Sequence, residues 1–65
     1  MNYTELCKLL TEAVDKLGKR IYDVREARAV ARVFLEDLYG FSAADMYGGR
    51  EAEGCEENVE RLVRG

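Results

Sequence analysis

Apolar residues recur along this chain at helical spacing, in segments separated by glycine and capping residues. From Tyr3 to Leu17 the positions Leu6, Leu9, Leu10, Ala13, Val14 and Leu17 make one stripe, with Glu5, Lys8, Thr11, Glu12 and Asp15 opposite. The pattern predicts an amphipathic helix over residues 3–17, capped by Asn2 or Thr4 and ended by Gly18. Residues 19–22 form a connection with Ile21 turned into the core. Asp23 then opens a second helix, and Glu26 stands three residues on, at the spacing of a capping box.

The second helix is the most apolar. Ala27, Val30, Ala31, Phe34, Leu35 and Leu38 share a face, and Ala29 and Val33 widen the arc beyond half the circumference. Such an arc predicts a helix in the middle of a bundle, contacted from more than one side, with Phe34 and Leu38 central to the core. Gly40 ends it. Ser42 and Asp45 then have capping-box spacing, and Phe41 and Met46 flank the cap as a hydrophobic staple. A short third helix follows, then a loop over Gly48–Gly54. The last helix runs from Cys55 to Val63 with a stripe of Cys55, Val59, Leu62 and Val63, acidic at its start and basic at its end as the helix dipole favours. Nothing alternates with period two, so no strand is expected. The fold class that follows is all-α, a compact bundle of four short helices in one domain spanning residues 1–65.

Composition narrows the function. The chain is 48% hydrophobic and has no Pro and no His, with a formal net charge of −3. General nucleic-acid binders are basic, so direct nucleic-acid binding is not expected. Cys7 and Cys55 are too few for a disulfide framework and have no His to share a metal with; both read as buried free thiols. The N-terminus lacks a basic stretch followed by an apolar run, and no segment approaches the ~20 apolar residues of a membrane span. The expectation is a cytoplasmic, monomeric domain.

Chemistry is sparse. Gly48-Gly49 lacks the spacing of a phosphate-binding loop or a dinucleotide fingerprint and reads as a turn. The carboxylates are spread over polar faces, and a chain this short leaves little room for a ligand pocket of several hundred cubic ångströms. No catalytic, cofactor-binding or metal-binding residue is assigned. Charge, however, is unevenly placed. Residues 16–32 hold six basic groups against two acidic ones, a local +4, and the remainder carries −7. Arg25, Arg28 and Arg32 fall in a narrow sector of the second helix, with Tyr39 in the same sector. Arg and Tyr are enriched in interface hot spots, so these four are candidate partner-binding residues. The competing reading is a solvated face with Arg32 paired to Glu36 one turn on.

The run from Glu26-Ala27 through Phe34-Leu35-Glu36-Asp37-Leu38-Tyr39-Gly40-Phe41-Ser42, then Asp45-Met46, resembles the N-terminal domain of the bacterial release-factor glutamine N(5)-methyltransferases, the PrmC or HemK family. The opening helix from Tyr3-Thr4-Glu5-Leu6 and the acidic last helix fit as well. Two features depart from the family pattern. Ala43 stands where a basic residue is common after the Ser, and the segment from Glu26 to Gly40 is about a turn longer than in the commonest members. The resemblance implies a recognition or positioning domain. Beside it, a catalytic domain would bind S-adenosylmethionine and methylate the glutamine of the Gly-Gly-Gln motif in class I peptide chain release factors. That family's Asn-Pro-Pro-Tyr motif falls on no residue here. A free-standing helical adaptor or regulatory module is the alternative.

Overall fold

The computed structural model describes residues 1–64. Four helices follow one another: α1 (Tyr3–Glu12), α2 (Val24–Tyr39), α3 (Ala43–Tyr47) and α4 (Glu56–Arg64). This is the all-α bundle that the periodicity predicts. Three of the four helices begin with the same reciprocal device. The side chains of Asn2, Asp23 and Ser42 accept from the backbone N–H groups of Glu5, Glu26 and Asp45, at 2.9, 2.7 and 3.2 Å. The three carboxylates reach back to the capping residues' own N–H groups, most closely at Ser42, where the distance is 2.9 Å. Each box satisfies donors that a helix N-terminus otherwise leaves open.

The first helix is shorter than its pattern. It ends at Glu12, and Ala13 is already extended. Residues 13–21 instead make a tight reversal, in which Val14 and Arg20 form an isolated antiparallel bridge. Asp15 causes this. Its carboxylate accepts from the N–H groups of Leu17 and Lys19, at 2.8 and 3.0 Å, and Gly18 turns at φ +78°. A short polar side chain that bonds nearby backbone N–H groups competes with helix continuation. Val14 and Leu17 are consequently on the surface, Leu17 being 80% exposed, and not on a core stripe. Ile21 is half-buried rather than a core residue.

The core is formed by Leu6 and Leu10 of α1, Ala27, Ala31, Phe34 and Leu35 of α2, Phe41, Met46 and Ala52, and Cys55 and Val59 near and on α4. α1 packs chiefly on α2, with α3 against α1. Phe41 and Met46 are both buried, as the staple requires. The shortest dimension of the molecule is 16 Å. α2 has one covered side, with Ala27, Ala31 and Leu35 buried, and one largely bare one. Leu38, on the predicted core face, is 58% exposed, and Val33 and Ala29 are exposed too. The wide apolar arc of α2 is therefore only partly buried.

The remaining contacts tie the ends and loops together. Gly40, at φ +65°, reverses the chain so that the Phe41 N–H donates to the Leu35 carbonyl at 3.1 Å. Arg50 pairs with Asp45 at 3.0 Å and lies 4.8 Å over the Phe41 ring, fastening the 48–54 loop to α3. Ala52 donates to the Met1 carbonyl at 2.7 Å. α4 is held by its buried Val59 and by two polar links: Tyr22 donates its hydroxyl to the Leu62 carbonyl, and the Asn58 amide donates to the Tyr39 hydroxyl. Cys55 precedes α4, and its carbonyl accepts the helix's first bond from Val59.

Candidate functional site

The three arginines of α2 fare differently. Arg28 and Arg32, one turn apart, line an open cleft of about 390 Å³ where the start of α1, the middle of α2 and the end of α3 converge. Tyr3 contributes from α1, and Met46 and Tyr47 from α3, with Ala29 and Ala43 between them. Glu36 closes the end of the cleft toward the α2 C-terminus. Arg25 lies a turn before Arg28 and does not line it.

Tyr39 is not the aromatic beside the arginines. Its ring packs on Phe34 with centroids 5.7 Å apart, and its hydroxyl accepts from Asn58 of α4. It is half-buried structure between α2 and α4. Its helical phase alone puts it in the arginines' sector, because phase ignores height along the axis and Tyr39 is the last residue of α2. Tyr3 and Tyr47 take that place. They meet edge to face with centroids 6.2 Å apart, a favoured aromatic geometry. Sequence reasoning missed them because they come from separate helices. The available signal was Tyr47 itself, a large aromatic two residues beyond the acidic cap residue and just before Gly48-Gly49. It is 85% exposed.

The cleft sets two guanidinium groups against one carboxylate, that of Glu36. Arg25 and Arg28 have no ion-pair partner among the described residues, and Arg32 is held by Glu36 only at 4.0 Å. That distance is the outer limit of an exposed i, i+4 pair, worth little in water. Burial pushes the Tyr3 phenol above its usual pKa, and the nearby Arg28 charge pulls the other way. Burial likewise raises the Cys7 thiol, opposed in part by Tyr3 and by Arg28. A raised thiol pKa is the opposite of what an activated nucleophile has. Cys7 and Cys55 are both free, but only Cys55 is buried, Cys7 being partly exposed.

A second groove, of about 470 Å³, runs along the bare side of α2. Val30, Val33, Phe34, Leu38 and Leu62 line it, and Asp37 is its polar residue. The short chain thus has more concave surface than its length leads one to expect, though both hollows open to solvent. No group of three or more His, Cys, Asp or Glu is placed to hold a metal ion among the described residues, and no helix there is long and apolar enough to cross a membrane. Comparison with family models, curated proteins and solved structures finds no match to this chain.

Proposed function

We propose that this chain is a protein-recognition domain, and that it serves a methyltransferase of class I peptide chain release factors as its N-terminal positioning module. The observation that carries the recognition reading is the meeting of Arg28 and Arg32 with Tyr3 and Tyr47 in one open cleft. Guanidinium and phenol groups offer large contact areas and several hydrogen-bond donors, which is why they dominate interface hot spots. The assignment to the methyltransferase rests on the resemblance of Glu26 through Met46. The cap within that run, Ser42–Asp45, forms in the fold.

In this role the domain does no chemistry. It contributes binding energy remote from the reacting glutamine, which orients a bulky protein substrate for transfer done on another domain. S-adenosylmethionine would belong to that catalytic domain.

Two measurements test the reading. NMR titration of the ¹⁵N-labelled chain with an intact class I release factor is expected to perturb the first half of α2 and α3. The reading frame beyond residue 65 is expected to encode a methyltransferase domain with an Asn-Pro-Pro-Tyr motif. A release factor that leaves the spectrum unchanged, with no such domain in the frame, overturns the proposal in favour of a free-standing adaptor.

A further inference from the structure

Charge along the cleft is ordered. Arg28 has no ion-pair partner among the described residues, Arg32 stands one turn on, and Glu36 follows after another turn. From Arg28 to Glu36 the helix rises about 12 Å. The facing wall is different in kind: buried Met46 together with Ala43 and the exposed ring of Tyr47. An occupant therefore meets guanidinium groups along one wall and apolar surface along the other.

Which anion suits this cleft follows from Glu36. A phosphate dianion would be repelled by its carboxylate more strongly than a monoanion would. A carboxylate fits, because one guanidinium can take both of its oxygens in a fork. Arg32 in the free domain already leans on such a group, that of Glu36.

We infer that the cleft binds an acidic segment of a protein partner, with a Glu or Asp carboxylate at Arg28 and Arg32 and a neighbouring apolar side chain against Ala43 and Tyr47. Glu36, whose carboxylate stands 4.0 Å from the Arg32 Nε, is a weak competitor for that guanidinium until the partner displaces it. The inference deepens the recognition reading but does not depend on the partner being a release factor.

The test uses the ¹⁵N-labelled chain and a capped peptide with one carboxylate, Gln-Glu-Leu-Phe, beside its Gln-Gln-Leu-Phe counterpart and inorganic phosphate. The acidic peptide is expected to shift the arginine Nε–H signals and the amides of Ala43, Met46 and Tyr47 saturably, with an effect that fades as salt screens it. The glutamine peptide and phosphate are expected to do much less. Glu36→Gln should tighten binding roughly twofold to fivefold by removing the competitor, and Arg28→Glu should weaken it by at least as much. Both positions are exposed, and dispersed amide spectra will show that the variants are folded. An equal response to the glutamine peptide, a stronger response to phosphate, shifts confined to Val33 and Leu38, or weaker binding in Glu36→Gln would each overturn the inference. Peptide binding in the cleft without binding of a release factor, and with no methyltransferase domain in the reading frame, would remove the family assignment alone. A release factor that binds and leaves the cleft undisturbed would remove the inference alone.

Discussion

Tyr3 and Tyr47 meet edge to face at 72° across the cleft, joining the first turn of α1 to the last residue of α3. The two rings are not equivalent. Tyr3 is partly buried and packs on the core, whereas Tyr47 is almost wholly in solvent. Tyr47→Ala should therefore cost only about 0.5–1.5 kcal/mol, the scale of an aromatic pair. A urea melt of the variant is the measurement, and a loss well above that range would show that Tyr47 has a structural role the exposed ring does not explain.

The caps are open to a direct test at Ser42. Ser42→Ala removes the acceptor for the Asp45 N–H and should cost about 1 kcal/mol. In a domain of marginal stability this is a visible displacement of the denaturation midpoint. Superimposable melts would mean that the short α3 does not need its cap.

Asp45 gives that cap a pH dependence. The bond from the Ser42 backbone N–H, and then Arg50, hold its carboxyl below the usual carboxylate pKa. A depressed folded-state pKa means that the unfolded chain binds the proton more readily. The contribution is thus present above the unfolded value, about 3.9, and is lost as pH falls through the lower folded value. Wild type should exceed Asp45→Asn in stability at pH 6, and the gap should narrow toward pH 3. A gap that is constant across this range would show that the charge of Asp45 is not what matters.

Phe34 and Leu38 lie one turn apart on α2 but differ in surroundings, at 8% and 58% exposed. Phe34→Ala should cost roughly 3–5 kcal/mol and leave the isolated domain largely unfolded. Leu38→Ala leaves no core cavity and should stay within about 1 kcal/mol. Comparable losses at the two sites, read from amide dispersion and denaturant melts, would contradict the observed packing.

The early end of α1 predicts a similar contrast. Leu10 is fully buried, and Leu10→Ala should cost roughly 2–5 kcal/mol. Leu17→Ser, beyond the reversal made by Asp15, should change stability by no more than about 0.5 kcal/mol. A severe loss at Leu17 would restore the longer helix that the apolar spacing predicts.

Local chemistry was legible in the amino-acid order. The boxes at Asp23–Glu26 and Ser42–Asp45 and the turn at Gly40 span a few residues each, and their hydrogen bonds need no distant partner. The third box, at Asn2–Glu5, could have been read the same way, since Asn2 was one of two candidate caps. The basic sector of α2 was legible too, because residues three and four apart on a helix must be neighbours. What the order of residues left open was everything set by one element lying against another. Leu38 has the same helical phase as the buried Ala27, yet it is bare. Tyr39, in phase with the arginines, turned to Asn58, and Tyr3 and Tyr47 came from α1 and α3 to take its place. At Asp15 two local signals conflicted: the spacing of Val14 and Leu17 favoured helix, and a side chain able to bond its own loop favoured a turn. Periodicity states which residues could share a face. Which of them are covered depends on where the neighbouring helices stop, and that is decided only when the whole chain has packed.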